Sequence, residues 1–209
     1  MRIAFFGGTF DPIHRGHLAI ARAAADEFQL DEVLFAPVGR QPLKAKIAEA
    51  PFVDRVAMVG LACTASSYGP ELQVSEIDAP KPDLQPNYTV DTLAELARIH
   101  SNSDLFVISG ADSFLTVRSW REPDRLLELA QWIVVSRPGF ELTQQGLDDL
   151  KLTAVQRGRV HVLGTVHEDV SASELRRRLR AGDDCSDWVP RPVLEYIEAR
   201  GLYGRTARV

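Results

Sequence analysis

The 209-residue sequence predicts an α/β protein, a three-layer fold on a doubly wound, mainly parallel sheet. Three observations lead there. About six apolar runs, each too short for a helix, alternate with stretches of helical period. The first run passes through two glycines directly into a helix, which is the order of a βα unit. The composition, 45% hydrophobic and 25% charged, suits a globular chain with a substantial core. With no internal repeat, low-complexity segment or linker, residues 1–209 read as one domain, with a helical C-terminal segment of about 171–203 packed on it.

Arg2 to Phe6 is the first strand, closed at once by Gly7 and Gly8. Leu18, Ala21, Ala25 and Phe28 then recur at helical spacing, so a helix begins near Gly16. The first N–H groups of a helix lack partners and carry a partial positive charge, which makes this turn a seat for phosphate. Gly7 and Gly8 admit a ligand close to the backbone, and His14 and His17, three residues apart, can donate to phosphate oxygens there. Neither a G-x-x-x-x-G-K-[ST] loop nor a G-x-G-x-x-G fingerprint occurs, which removes the main support for kinase and dehydrogenase readings.

Val33 to Pro37 is the second strand, and the polar loop from Gly39 to Pro51 holds two of the four lysines, Lys44 and Lys46. From that loop Lys44 can bring an ammonium over the phosphates. Phe52 to Ala65 reads as a helix with Val53, Val56, Ala57, Gly60 and Leu61 inward; Arg55 falls on another face, exposed, ion-paired or turned to substrate. A strand from Leu72 to Ile77 leads into a loop, Asp78 to Tyr88, made rigid by Pro80, Pro82 and Pro86. Thr89 fits the N-cap of a helix through His100, with Val90, Leu93, Leu96 and Ala97 as its apolar stripe.

Leu105 to Ser109 is a strand ending in Gly110-Ala111-Asp112, followed by a helical segment that reaches Trp120. In a doubly wound sheet this strand neighbours the first, so Gly110 and Asp112 face His14 and His17 across a crevice. An aromatic just beyond it, Trp120, can pack in the core or stack on a flat ring. Leu126 to Ala130 continues in helix, and Ile133 to Val135 is a strand that places Arg137 at its C-terminal end. Leu142 to Val155 reads as a helix and Val160 to Leu163 as a strand, with His161 and His167 structural. Ser171 and Glu174 have capping-box spacing, and Arg176, Arg177, Arg178 and Arg180 follow in the first turns, where cations oppose the helix dipole unless an anion is near.

The formal charge of −5 argues against a general nucleic-acid coat, while 20 of the 24 basic residues are arginine, which suits bidentate contacts with phosphate. Cys63 and Cys185 form no metal or C-x-x-C spacing and imply a reducing compartment. No apolar run reaches membrane-spanning length and no signal-like segment opens the chain, so a cytoplasmic protein is expected, with no membrane or nucleic-acid partner. A homo-oligomer is compatible with all of this.

Gly7 to His17, reading GGTFDPIHRGH, resembles the signature of the HxGH nucleotidylyltransferases, and specifically of the bacterial nicotinate-nucleotide adenylyltransferases. Asn87 to Thr92 resembles that family's S-Y-T-x-x-T-L motif, Gly110 to Ser113 its ribose-contacting G-A-D-S, Val170 to Arg176 its I-S-S-T-x-I-R, and Val189 to Tyr203 its ending. Two positions depart: Leu43 stands for the histidine of P-P-H-K, and Ala172 for the second serine of the phosphate motif, where Ser173 keeps the hydroxyl of the threonine. The resemblance implies a Rossmann-like sheet of the nucleotidyltransferase type. It implies adenylyl transfer from ATP to nicotinate mononucleotide, giving nicotinate adenine dinucleotide and pyrophosphate in NAD biosynthesis. Mg²⁺ would be bound through the ATP phosphates, with no protein ligands to the metal. His14, His17, Lys44 and Arg176 become the expected catalytic residues. Gly7, Gly8, Thr9, Phe10, Gly110, Asp112, Arg137, Ser171 and Ser173 join His14, His17 and Arg176 at ATP, and Lys44, Tyr88, Thr89, Asp112 and Trp120 are expected at nicotinate mononucleotide. Other readings are a related HxGH enzyme such as pantetheine-phosphate adenylyltransferase, and a nucleotide sensor that binds without turnover.

Overall fold

A computed structural model describes residues 1–42, 48–66, 70–136, 142–164 and 171–204. Its centre is a six-stranded sheet: β1 (Arg2–Gly8), β2 (Glu32–Pro37), β3 (Glu71–Val74), β4 (Asp104–Gly110), β5 (Gln131–Val135) and β6 (Val160–Leu163), in the order β3-β2-β1-β4-β5-β6. Every described pairing is parallel, so the sheet is more uniform than the mainly parallel one expected. That order reverses between β1 and β4, the switch point at which open α/β sheets bind ligands.

Strand residues alternate between two cores, as the two-residue period requires. Ala4, Phe6, Phe35, Phe106, Ile133 and Val135 face one layer, with α1 (Arg15–Phe28), α2 (Phe52–Thr64), α8 (Ala172–Ala181) and α9 (Arg191–Ala199). Ile3, Phe5, Leu34, Val107, Trp132 and Val134 face the other, with α3 (Thr89–Ile99), α4 (Ala111–Phe114), α5 (Pro123–Leu129) and α6 (Gln144–Asp149). The C-terminal segment packs on the first layer: Val193, Ile197 and Tyr203 are buried there.

Five local expectations need correction. The inward face of α2 is Asp54, Arg55, Met58, Val59, Ala62 and Cys63, while Val53 is exposed. Apolar patterning missed it because two charged residues lie inside with partners: Asp54 accepts from Tyr196 Oη at 2.8 Å and Arg200 Nε at 3.1 Å on the α9 side, and Arg55 is treated below. Residues 142–155 do not form one helix; Thr143 caps α6, and Thr153 opens a separate turn, α7 (Ala154–Arg157), through a capping box with Gln156. The stretch to Trp120 breaks after α4 into a 3-10 turn at Val117–Ser119. The N-cap of α3 is Tyr88, with Thr89 its first helical residue. Ser171 does cap α8 by accepting the Glu174 N–H at 3.2 Å, but the Glu174 carboxylate turns to Arg177 and Arg178 instead of completing the box.

Candidate active site

At the C-terminal ends of β1 and β4 lies a cleft of about 830 Å³. Gly7, Gly8, Thr9, Phe10, His14, His17, Tyr88, Thr89, Gly110, Asp112, Trp120, Ser171, Ser173 and Arg176 all line it. The topology thus brings together every described residue of the expected site; Lys44 and Arg137 lie outside the described residues, as does Leu43.

The turn between β1 and α1 is tightly packed. A Cβ on Gly8 would stand 2.9 Å from the Phe10 ring, so this glycine is needed because the chain's own aromatic fills the space beside it, in addition to any ligand. Phe10 reaches that place with φ of 47°, in the left-handed region that bulky residues rarely occupy. Its ring meets Phe6, Phe35 and, edge-on at 5.0 Å, His17. Phe10 is therefore largely a packing residue, 2% exposed.

His14 is the N-cap of α1 and His17 stands three positions into it. Their rings stack at 3.7 Å, and the His14 backbone N–H donates to His17 Nδ1 at 3.3 Å. With Nδ1 an acceptor, the neutral imidazole carries its proton on Nε2, so His17 is held as a donor at that nitrogen.

Two buried arginines brace this turn. Arg55, 2% exposed, donates to the carbonyls of Thr9 at 2.7 Å, Val38 at 2.9 Å and Ala50 at 3.3 Å, tying together the ends of β1 and β2 and the chain before α2. Burial pulls its guanidinium below the usual arginine range, with Asp11 and Tyr203 opposing. Arg176, on α8, donates to the Asp11 carbonyl at 2.6 Å, Glu49 Oε1 at 2.9 Å and Ser173 Oγ at 3.1 Å. Glu49 also pairs with Arg180. Burial pushes the Glu49 carboxyl up, but its hydrogen bonds and charge interactions with Arg180 and Arg176 outweigh this and hold it below the usual range. The other arginines that opposed the helix dipole are accounted for locally: Arg177 and Arg178 pair with Glu174, and Arg178 also stacks on Trp188 at 4.5 Å. Only Arg176 of the four lines the cleft.

The opposite end is built differently. Trp120 donates from Nε1 to Thr116 Oγ1 at 3.1 Å and leans edge-on against Trp132. The Arg121 guanidinium sits 4.7 Å from the centre of the Tyr88 ring. Below them Asn87 clamps the loop, accepting the Arg40 N–H at 3.0 Å and donating to the Ala79 carbonyl at 3.0 Å, while Thr92 donates to the buried Asp78. Burial pushes the Asp78 carboxyl up, against the Thr92 hydroxyl and Lys81. Asp112 is exposed at the rim, and a Cβ on Gly110 would collide with its Oδ1 at 2.5 Å.

Sequence reasoning missed Asp11, Glu49, Asp78, Asn87, Arg121 and Tyr203 at or behind this cleft, and left Arg55 open between an exposed, an ion-paired and a substrate-facing place. The one available signal was Arg55, a lone cation in the apolar run VDRVAMVGLAC.

The cytidylyltransferase-like family matches residues 5–178. A protein of Thermus thermophilus named "probable nicotinate-nucleotide adenylyltransferase" is 39% identical over 203 residues, covering 97% of this chain and all of the relative. One of the same name from Acidothermus cellulolyticus is 40% identical over 210 residues, covering 98% and 95%. Among solved structures, the nicotinic acid mononucleotide adenylyltransferase of Plasmodium falciparum complexed with NaAD superposes with a TM-score of 0.78 over 99% of both chains at 18% identity, a likeness of fold.

Proposed function

Because the chain belongs to the cytidylyltransferase-like family, and within it to the nicotinate-nucleotide adenylyltransferases, we propose that it transfers the adenylyl group of ATP to nicotinate mononucleotide, a step of NAD biosynthesis. The observation that carries the reading is the cleft's division into a helix-mouth seat with paired histidines and a buried arginine, and a second end of aromatic side chains beside the start of α3.

The mononucleotide's phosphate oxygen attacks the α-phosphorus of ATP in line. A P–O bond forms there as the bond to the β-phosphate oxygen breaks, and pyrophosphate leaves with the electron pair. No protein nucleophile is needed; the chain's work is positioning and charge stabilisation. His17 Nε2 donates to phosphate oxygen as charge develops, His14 holds the partner ring by stacking, and Arg176 presents its guanidinium beside the N-terminus of α8. Trp120 and Tyr88 hold the pyridine end, and Asp112 the ribose. Lys44 and Arg137 keep their expected roles at the phosphates as part of the proposal.

The His14, His17 and Arg176 side chains and the start of α8 at Ala172 and Ser173 line this end and suit phosphate oxygens, whereas the Arg15 and His17 N–H groups of α1 are taken by the Trp188 and His14 carbonyls. The residues fit a Mg²⁺ held by the nucleotide itself, and among the described residues no group of three or more His, Cys, Asp or Glu is placed to hold an ion. When bound, Mg²⁺ neutralises the pyrophosphate charge. Cys63 and Cys185 are buried free thiols, which supports a reducing, cytoplasmic setting, and among the described residues no helix is long and apolar enough to cross a membrane. Mixing ATP, Mg²⁺ and nicotinate mononucleotide should release pyrophosphate and form the dinucleotide in equal amounts; ATP binding without pyrophosphate release would replace the enzyme by a sensor.

A further inference from the structure

The described residues end near a buried contact that the reaction scheme does not use. Tyr203 Oη donates to Asp11 Oδ1 at 2.7 Å, joining residues 192 positions apart. The same carboxylate, 3% exposed, accepts the backbone N–H of Glu49 on Oδ2 at 2.7 Å and of Ala50 on Oδ1 at 3.1 Å. The carbonyl of Asp11 accepts from Arg176 Nη1 at 2.6 Å. A guanidinium has five N–H donors; the bonds to Asp11, Glu49 and Ser173 use three of them, one on each nitrogen, and fix its plane. Asp11 thus connects the C-terminal segment, the chain before α2, and the arginine that lines the cleft.

Two of the six described non-glycine residues with positive φ lie at the same contact. Tyr203 has φ of 56° and ψ of 27°, and Phe10, next to Asp11, has φ of 47°. Non-glycine residues persist in that region only where their surroundings over-determine them, and such residues cluster at functional sites. Tyr203 does not line the cleft, so it acts through Asp11 and not on substrate. Burial pushes its phenol pKa up, which keeps the hydroxyl a donor across the working pH range.

Resting on the reading of this cleft as an ATP site, we propose that Tyr203 is a positioning residue for ATP binding. Its hydroxyl fixes Asp11, and through Asp11 the C-terminal segment aims Arg176, and sets the Glu49–Ala50 backbone, for the ATP phosphates.

The test is equilibrium binding of the methylene analogue of ATP, measured by calorimetry well below the melting temperature of each variant, alongside steady-state constants. Tyr203→Phe removes one oxygen and should weaken analogue binding about 5-fold and raise the ATP KM in parallel, with the nicotinate mononucleotide KM within about twofold of wild type. Asp11→Asn keeps the shape and an oxygen for Tyr203 and Ala50 but sets an NH₂ against the Glu49 N–H, and should weaken binding about 10-fold or more. Adding Tyr203→Phe to Asp11→Ala, where the acceptor of the tyrosine hydroxyl is already gone, should cost little further. A Tyr203→Phe protein with a lowered melting temperature but wild-type analogue affinity would make the residue mere packing and overturn the proposal, as would losses that multiply in the double variant. If Tyr203→Phe does not fold, a folded Asp11→Asn with wild-type analogue affinity overturns it equally. Wild-type protein that binds the analogue yet releases no pyrophosphate would sink the proposed reaction and leave this inference standing; wild-type protein that binds no analogue would sink both.

Discussion

The side chains that face into the cleft are held differently at its two ends, although a buried clamp of Asp78, Asn87 and Thr92, tied to Arg40 47 residues away, supports the loop at the second end. At the phosphate end the polar groups are buried and cross-linked: Asp11, His14, Arg55 and Arg176 are each 9% exposed or less, and their bonds join chain segments 46, 127, 165 and 192 residues apart. At the acceptor end Trp120 is half-buried and bonded to Thr116, four residues away, while Tyr88 is covered by an exposed arginine that shares Glu122 with Arg125. The contrast fits what each end is proposed to meet. Donors aimed at a developing phosphate charge help most when fixed beforehand, since reorganising them during reaction would consume the advantage. Recognition of a flat ring draws on apolar contact and stacking, which tolerate ordering on arrival.

Breaking the bracing should have the largest effect. Arg55→Ala strands the Thr9, Val38 and Ala50 carbonyls, each near or in the interior, and should destabilise the protein by about 3 kcal/mol or more, enough to lower the melting temperature by roughly 6–12 °C in a chain of this size. An unchanged melting curve would show that the phosphate end is not braced from within, and the contrast would collapse. Next in size is His17→Ala, which removes one preorganised donor: kcat should fall by about 10²-fold, near 2.7 kcal/mol, with the fold intact by circular dichroism. Wild-type turnover in a folded variant would take His17 out of the mechanism.

The same contrast explains what could be read in the sequence. Strand runs, the β1–α1 turn, the switch point and part of the cleft's lining were legible because each is a local pattern, and the doubly wound order then places local patterns side by side. GGTFDPIHRGH is contiguous, and so are Gly110 to Ser113 and Ser171 to Arg176. The bracing was illegible because it is made of single polar residues far apart in the chain. Asp54 and Arg55 violate the apolar pattern of α2, and only their partners on other elements justify their burial. Nothing near Tyr203 marks a residue that bonds to Asp11. The start of α3 erred for a related reason: Thr89 has the side chain a cap prefers, yet Tyr88 holds the cap position with no side-chain bond, beside a loop that Asn87 clamps to Arg40 and Ala79.

Substitution at each end separates the two substrates. Arg176→Ala should raise the ATP KM by about 10-fold or more, as for loss of a charged hydrogen bond of roughly 1.5–3 kcal/mol, and change the mononucleotide KM less. Trp120→Ala should do the reverse and more weakly, raising the mononucleotide KM by about 2- to 10-fold for the roughly 0.5–1.5 kcal/mol of an aromatic pair, with ATP little affected. If either variant moved both constants together, the cleft would work as one unit and the two ends would not be separable.

The prediction that sharpens the contrast most is selectivity for the acid over the amide mononucleotide, in which the share of Arg121 is the smallest effect expected. The N–H groups of Asp91 and Thr92 turn back onto the Tyr88 carbonyl at 2.9 and 3.2 Å, so a carboxylate at the start of α3 meets those of Thr89 and Val90, both of which line the cleft. The helix start adds partial positive charge, and the Arg121 guanidinium over Tyr88 adds a whole one nearby, although exposure screens it. A hydrogen bond to a charged group contributes roughly 1.5–3 kcal/mol against about 1 for a neutral one, so a single contact gives modest preference and two approach ~10²-fold. The amide's NH₂ would oppose the same donors with donors of its own. Measuring kcat/KM for both mononucleotides at one ATP and Mg²⁺ concentration decides it: the acid should be favoured, and Arg121→Gln should narrow the ratio about 2- to 5-fold without moving the ATP KM. Equal values for acid and amide would mean that the acceptor end reads only the ring and the ribose, and the start of α3 would lose its place in recognition while adenylyl transfer itself stood.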